Sequence, residues 1–216
     1  MDVYRSLFAR ATRAALDLIA PRFCAGCDAP LGSEDLFCDG CEASCSDPDP
    51  VPHECGISVV ASGAYGGALA RAIQALKYEG RPDLAAPLGR RLSRAVARHA
   101  LGPALLVPVP IHPRKLAERG YNQSALVAQT LGRELKWQVR ERALRRSRDT
   151  HAQARLGRSE RLENVKGALI ERERLEGSRV VLVDDVVTTG ATVSACREAL
   201  GRAGAIVIAV AAVART

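Results

Sequence analysis

The sequence predicts an α/β protein with a mostly parallel sheet flanked by helices, preceded by a small cysteine-rich unit. From residue 57 onward, apolar runs alternate with amphipathic segments, which is typical of α/β folds. Six of the seven cysteines fall between Cys24 and Cys55, in a stretch with too few apolar residues to build a core unaided. A chain of 216 residues has room for one such domain and a small appendage.

We therefore expect an amphipathic helix over 1–21, a zinc ribbon over 22–56 and the α/β domain over 57–216. Charged side chains such as Arg5 and Arg10 interrupt the apolar positions of the first segment, so the sequence predicts neither membrane insertion nor a secretory leader. We expect a cytoplasmic protein with reduced thiols.

The elements of the α/β domain follow from the period of its apolar residues. The predicted helices are one through Leu69–Leu76, one after Pro82 through Leu84–Val96, one capped by Asn122 or Ser124 that ends near Leu135, and one over Ala191–Ala203. The predicted strands are Ala104–Ile111, Trp137–Leu144, Gly167–Ile170, Val180–Val183 and Ala205–Val213.

Charge is distributed unevenly along the chain. Residues 1–56 carry ten acidic and four basic side chains, whereas residues 57–216 carry 14 acidic and 27 basic ones. Such a basic domain suits phosphorylated ligands or nucleic acid, and a solvated basic surface is the alternative.

The segment 179–192 is the main functional candidate. Asp184 and Asp185 follow a buried strand, where α/β sheets bind ligands, and their carboxylates suit the 2- and 3-hydroxyls of a ribose. The loop that opens the next helix offers backbone N–H groups to a 5-phosphate. It consists of Thr188, Thr189, Gly190, Ala191 and Thr192. The alternative is that the acids and threonines only cap a turn and a helix.

Two basic segments accompany this site. The loop over 112–123 contains Arg114, Lys115 and Arg119, which are candidates for holding a diphosphate; an ordinary basic surface turn is the alternative. An arginine-rich loop follows residue 144, and we expect it to be flexible and to close over the site or attract a nucleic-acid backbone. Its arginines are Arg145, Arg146, Arg148, Arg155 and Arg158.

The cysteines form two Cys-x2-Cys pairs, Cys24 with Cys27 and Cys38 with Cys41, separated by ten residues. This spacing predicts four thiolate ligands for one structural zinc ion. Gly26 and Gly40 lie inside the pairs, where we expect tight turns that direct amides toward sulfur. Three further residues, Cys45, His53 and Cys55, are either an alternative ligand or packed side chains, and Cys196 is expected to be buried.

The strand, paired acids and Thr-Thr-Gly-x-Thr loop resemble the signature of type I phosphoribosyltransferases. Together with Val107-Pro-Val-Pro110, Leu76-Lys-Tyr-Glu-Gly80 and Arg119-Gly-Tyr-Asn-Gln123, they resemble the ComF/GntX family over nearly the whole chain. Further matching residues are Gln153, Leu156, Arg161 and Asn164. The resemblance implies an N-terminal zinc ribbon, a phosphoribosyltransferase domain that binds 5-phosphoribosyl 1-diphosphate (PRPP) with Mg2+, and a link to single-stranded DNA handling in natural transformation. A third cysteine pair usual in the family retains only Cys55 here.

Two functions remain open at this point. The chain is either an enzyme that transfers phosphoribosyl from PRPP to an unidentified nitrogen acceptor, or a non-catalytic competence accessory that binds single-stranded DNA and a helicase-type partner. In the second case PRPP serves as a regulatory ligand or not at all. In an enzyme, Asp184 and Asp185 would orient the ribose directly or through metal-bound water.

Overall fold

The computed structural model describes residues 22–31, 35–46, 51–52, 57–147 and 169–216. The expected N-terminal helix therefore lies outside the described residues. So do His53, Cys55, Arg148, Arg155 and Arg158, and four family-matching residues, which are Gln153, Leu156, Arg161 and Asn164.

The described strands are β1 (Arg22–Phe23), β2 (Pro30–Leu31), β3 (Val51–Pro52), β4 (Ser58–Ala61), β5 (Leu105–Pro108), β6 (Leu144–Arg146), β7 (Leu169–Glu171), β8 (Arg179–Val187) and β9 (Ile206–Arg215). The helices are α1 (Asp39–Ala43), α2 (Gly67–Tyr78), α3 (Ala85–Arg98), α4 (Pro113–Arg119), α5 (Gln123–Leu135) and α6 (Ala191–Arg202), with a 3-10 turn at Pro82–Leu84.

The main sheet has the strand order β3-β4-β9-β8-β5. The last four strands are parallel, and β3 pairs antiparallel with β4 at one edge. The predicted α/β fold with a mostly parallel sheet is confirmed. The strand β4 was not singled out in the sequence, because its four residues give only a short apolar run.

Helices cover both faces of this sheet. Val181 and Val183 of β8 pack into a core with α2, α3 and α5, whereas Val180 and Leu182 pack into a second core with α6. Successive side chains of a strand point to opposite faces, so an uninterrupted apolar run is what a doubly covered strand needs. Cys196 is buried in the second core, as expected.

Most predicted helices are confirmed, with one addition. Asn122, and not Ser124, caps α5: its Oδ1 accepts a hydrogen bond from the Ser124 amide at 3.1 Å. The segment treated as a cationic loop contains the helix α4. His112 caps α4 by accepting from the Arg114 amide, and Pro113 occupies its first turn, where a missing N–H costs nothing.

The predicted strand Trp137–Leu144 is wrong. Only Val139 is bridged, to Leu106 of β5, after which the chain turns and enters β6 at Leu144. The Arg140 amide still donates to the Leu106 carbonyl, but residues 141–142 form a turn, so the ladder stops after one bridge. β6 pairs antiparallel with β7, and Arg145 and Arg146 therefore lie in a paired strand and not in the flexible loop expected for them.

Candidate functional site

Asp184 and Asp185 lie in the C-terminal half of β8, and both are buried. The strand is longer than the sequence predicted, because β9 pairs with it as far as Val187. Its neighbour on the other side, β5, pairs with β8 only as far as Val183. The two acids therefore lie just beyond the end of β5, in the position where a parallel sheet leaves room for a ligand.

Asp184 is held by its surroundings. Its Oδ1 accepts hydrogen bonds from the Ser124 hydroxyl at 3.2 Å and from the backbone amide of Asp185 at 2.9 Å. Burial and the adjacent charge of Asp185 raise the pKa of Asp184 to about 7, although these hydrogen bonds and Lys77 act in the opposite direction. Ser124 caps nothing; it positions this carboxyl group.

Asp185 faces a lysine from a distant part of the chain. Lys77, near the C-terminal end of α2, places its Nζ 2.7 Å from Asp185 Oδ1. Burial disfavours the ammonium, but the attraction of Asp185, aided by Asp184, outweighs this and raises the pKa of Lys77. The other oxygen, Asp185 Oδ2, is buried and has no hydrogen-bond partner among the described residues.

The threonine loop leads from β8 into α6. Gly190, the N-cap residue of α6, has a φ of 72°, in the left-handed region that favours glycine. Thr188 is exposed, Thr189 is half-buried, and Ala191 and Thr192 begin the helix. The first amides of a 12-residue helix thus lie directly after the paired acids, and helix N-termini favour anions.

Two of the three predicted diphosphate ligands lie together. Lys115 and Arg119 line a cavity of about 290 Å³ with Lys77, Tyr78, Gly80 and Glu118. Arg114 is not among its lining residues; its guanidinium is exposed and bonds to Glu118 at 3.0 Å. Since Lys77 also contacts Asp185, the cavity adjoins the carboxylate pair.

A second cleft, of about 410 Å³, lies between α4, α5 and β6. Arg142, Arg145 and Arg146 contribute to its lining, opposite apolar side chains that include Ile111 and Leu116. The two described arginines of the predicted basic loop therefore line one cleft, and its α4 residues, Pro113 and Leu116, differ from those that line the Lys115 cavity.

The four paired cysteines converge. The sulfur atoms of Cys24, Cys27, Cys38 and Cys41 all lie within 4.8 Å of one another. Cys27 and Cys38 are separated by 3.7 Å, close to the roughly 3.8 Å between sulfurs that a tetrahedral site with Zn–S bonds of about 2.3 Å requires. The set fits a structural metal ion with all four ligands from protein. Cys45 is not part of this cluster; its Sγ donates to the Cys41 carbonyl.

Two backbone amides bond to one sulfur of this cluster. The amides of Gly26 and Cys38 donate to Cys24 Sγ at 3.4 and 3.3 Å. Burial opposes ionisation of Cys24, but these amides outweigh it and lower its pKa to about 6, which favours the thiolate that binds metal. The expectation for Gly26 is confirmed. Gly40 lies in α1, and it is Cys38 that supplies the second amide.

Comparison with known proteins places this site in a family. The protein-family model described as phosphoribosyl transferase domain matches residues 124–216. DNA utilization protein YhgH of Escherichia coli (strain K12) is 34% identical over 98% of this chain and 89% of its own length. The chain belongs to the ComF/GntX family. Competence protein F of Haemophilus influenzae is 32% identical over 68% of the chain and 67% of its own length. A purine phosphoribosyltransferase structure from Pyrococcus horikoshii Ot3 is similar at 20% identity and a TM-score of 0.37, covering 59% of the chain and 74% of that structure.

This ComF/GntX protein is thus a competence- or DNA-utilization-related protein with a phosphoribosyltransferase domain. The matched domain contains Ser124 and the paired acids, but Lys77, Lys115 and Arg119 precede it. Within the described parts of the chain, no helix has both the length and the apolar character needed to cross a membrane.

Sequence reasoning missed two residues of the site, Lys77 and Ser124. Lys77 was noted only as part of a family-like segment, and Ser124 only as a possible cap. Each reaches the acids through tertiary packing: Lys77 from α2 and Ser124 from the first turn of α5. The only available signal for Lys77 was a lysine at the end of an otherwise apolar helical stripe.

Proposed function

We propose that this ComF/GntX protein binds PRPP with Mg2+ at the C-terminal end of β8 and transfers its phosphoribosyl group to a nitrogen acceptor. The observation that carries the proposal is the difference between the two carboxylate oxygens of Asp185. Its Oδ1 is paired with Lys77, while the buried Oδ2 has no partner among the described residues. Buried polar atoms normally have a partner, and a ribose hydroxyl or a divalent cation would supply one.

The parts of PRPP match three neighbouring features. The 5-phosphate would bind the amides that open α6, where Gly190 allows close approach and the threonine hydroxyls add donors. The ribose hydroxyls would meet Asp184 and Asp185. The diphosphate would lie in the cavity that Lys77, Lys115 and Arg119 line. Three cations around a multiply charged anion give strong, charge-assisted hydrogen bonds.

In the reaction, the bond between ribose C1 and the diphosphate oxygen breaks, and the acceptor nitrogen forms a new bond to C1 and loses a proton. The transition state has oxocarbenium character, and negative charge accumulates on the departing diphosphate. Lys77, Lys115 and Arg119 would stabilise that charge, and Asp185 would fix the ribose. Mg2+ held with the help of Asp185 would further neutralise the diphosphate.

Calorimetric titration with PRPP and Mg2+ tests the binding half of this proposal. The wild-type chain should bind PRPP, and Asp185→Asn should bind it at least about tenfold more weakly, the loss expected for one charge-assisted hydrogen bond. Asp83→Asn is the matched control, because Asp83 is an exposed carboxylate of the same domain that pairs with Arg81. No binding to wild-type protein would refute the proposal.

A diphosphate-release assay with PRPP, Mg2+ and a panel of nucleobases and ammonia tests the catalytic half. Turnover that depends on one acceptor and is lost in Asp185→Asn supports the enzyme. PRPP binding without turnover for any acceptor would leave PRPP as a ligand and refute the transferase activity.

The second candidate is a non-catalytic accessory that binds single-stranded DNA. The cleft lined by Arg142, Arg145 and Arg146 favours it, as do the DNA-utilization and competence names of the relatives. Replacing Arg145 and Arg146 by alanine should weaken binding of a single-stranded oligonucleotide and flatten its dependence on salt. Binding that ignores salt and survives both changes would contradict this candidate. Direct binding to a purified competence helicase tests the proposed protein partner.

We also propose that the cysteine cluster holds one structural Zn2+ in a ribbon over 22–56, ahead of a phosphoribosyltransferase-like domain over 57–216. Cys27→Ser should lower the zinc content measured by atomic absorption, because zinc would lose one of four thiolates. Cys45→Ser is the control, since Cys45 lies outside the cluster. Unchanged zinc in Cys27→Ser would refute the ligand set.

A further inference from the structure

The cavity beside Asp185 is built from the end of α2 and from α4. Lys77 and Tyr78 come from the end of α2, and Lys115 and Arg119 from α4. The hydroxyl of Tyr121, in the turn after α4, donates to the Leu76 carbonyl at 2.5 Å. This bond fixes the two walls relative to each other. We call the cavity with its tyrosine rim the Tyr78 surface.

The tyrosine on this rim is unusually open. Tyr78 is 76% exposed, the largest exposure among the described large hydrophobic side chains. Arg119 lies over its ring, with 5.4 Å from the guanidinium carbon to the ring centroid. The guanidinium of Arg119 is in turn bonded to Gln123. One face of the ring thus lies against a cation, while most of the side chain is exposed to solvent and is not packed in the core.

The charges of the Tyr78 surface are predominantly positive. Lys77, Lys115 and Arg119 line it together with one acid, Glu118, and the charge of Lys77 is paired with Asp185. Glu118 accepts a hydrogen bond from Arg114, so its charge is compensated. The Lys115 side chain is exposed and makes no ion pair or hydrogen bond with the side chains or backbone of the described residues. An exposed aromatic ring with a cation against one face, beside Lys115 and Arg119, which pair with no acid among the described residues, offers what single-stranded nucleic acid needs: a platform for a base and a site for a phosphate.

We propose that the Tyr78 surface binds single-stranded nucleic acid, with a base stacked on Tyr78 and a backbone phosphate at Lys115 and Arg119, and that PRPP and nucleic acid exclude each other there. The exclusion rests on the proposed function, which places the diphosphate of PRPP against the same two cations. A base in a duplex has both faces covered by its neighbours, so only an unpaired strand fits. Competition is reciprocal: each ligand weakens the other by the same factor.

Fluorescence anisotropy of a labelled oligothymidylate with the full chain tests the binding surface. Tyr78→Ala should weaken binding at least about fivefold, and Tyr78→Phe, which keeps the ring, should retain it. Lys115→Ala should reduce the slope of log affinity against log salt by about one. Lys136→Asn is the matched control: it removes one exposed lysine elsewhere, and asparagine tolerates the left-handed backbone of that position.

Competition experiments test the exclusion. With Mg2+ held constant, PRPP and inorganic diphosphate should displace the oligothymidylate, whereas ribose 5-phosphate, which lacks the diphosphate, should not. Oligothymidylate binding that Tyr78→Ala leaves unchanged, in a variant with a wild-type circular dichroism spectrum, would overturn the surface. A complex that holds PRPP and oligothymidylate together would overturn the exclusion. If calorimetry detects no PRPP binding while diphosphate still competes, the proposed function fails and the Tyr78 surface stands.

Discussion

Lys77 Nζ lies 2.7 Å from Asp185 Oδ1, and this contact joins the end of α2 to the central strand β8. The lysine side chain is 20% exposed and that of the aspartate 6%, so water screens the pair little. The same ammonium lines the cation cavity. One side chain therefore borders both the carboxylates and the cavity in which we place the diphosphate.

Removing this lysine should destabilise the fold. Lys77→Gln leaves a buried carboxylate without its counter-ion, and we expect the free energy of unfolding to fall by roughly 1–3 kcal/mol in urea denaturation. Because the pKa of Lys77 is raised, its contribution is present below the unfolded value near 10.4 and disappears as the pH rises through the folded value.

Two comparisons control for this result. Arg71→Gln, on the same helix as Lys77, breaks exposed ion pairs with Glu79 and Asp28 and should cost no more than about 1 kcal/mol. Adding Asp185→Asn to Lys77→Gln should cost less than the two single changes together. An equal loss of unfolding free energy in Lys77→Gln and Arg71→Gln would mean that the buried pair stabilises the fold no more than the exposed ones.

The raised pKa of Asp184 predicts a particular pH dependence. An unfolded aspartate titrates near 3.9, whereas burial and Asp185 raise the pKa of Asp184 to about 7. Between these values the folded chain holds a proton that the unfolded chain has lost, so the free energy of unfolding should fall as pH rises. Asp184→Asn should flatten this part of the profile, measured without Mg2+ or PRPP. Ser124→Ala removes a donor to Asp184 and should extend the fall to higher pH.

Gly190 provides a test of the phosphate loop. At a φ of 72°, alanine would be strained by about 1 kcal/mol, and the backbone that faces the 5-phosphate would shift. Gly190→Ala should therefore weaken PRPP binding in calorimetry. Gly177→Ala carries the same strain at a φ of 65°, in a turn with nothing within 4 Å of the added carbon. It should cost similar stability and leave binding intact; equal losses of binding would argue against the loop.

Alanine substitutions at the two glycines inside the Cys-x2-Cys pairs should have different effects on zinc content and stability. A Cβ on Gly26 would lie 2.6 Å from Ala68 Cβ and 2.9 Å from Cys41 Sγ, so Gly26→Ala should lower both zinc content and the unfolding midpoint. Gly40 has nothing within 4 Å, and Gly40→Ala in α1 should match the wild type or exceed it slightly. Zinc retention in Gly26→Ala would show that the ribbon adjusts to the added carbon.

The sequence predicted those features that depend on local pattern. The apolar run Val180–Val183, the loop that opens α6 and the spacing of the cysteine pairs each reflect a local requirement of backbone or metal geometry. The positions of Lys77 and Ser124 against the acids could not be predicted, because they depend on how α2 and α5 pack on the sheet.

The two incorrect predictions of local structure also arose because the sequence does not show how its segments pack. Treating 112–123 as a loop made Arg114, Lys115 and Arg119 equivalent, whereas in the helix α4 adjacent side chains point in directions about 100° apart. Arg114 consequently faces Glu118 and solvent, and Lys115 lines the cavity. Likewise, the alternating apolar and polar residues of Trp137–Leu144 resembled a strand, but such a segment is paired only where a neighbouring strand edge is available to it.

The cysteine-rich unit shares its interior with the rest of the protein. Cys24, Ala25 and Phe37 are buried in the same apolar cluster as Leu69. Arg91 of α3 pairs with Glu42 and donates to the Ser62 carbonyl, which ties the unit to the domain on a second side. A shortened chain that begins at Ile57 would therefore expose an apolar patch and tend to aggregate. Chelating buffers, by removing the proposed zinc ion, would carry the same risk of aggregation during purification.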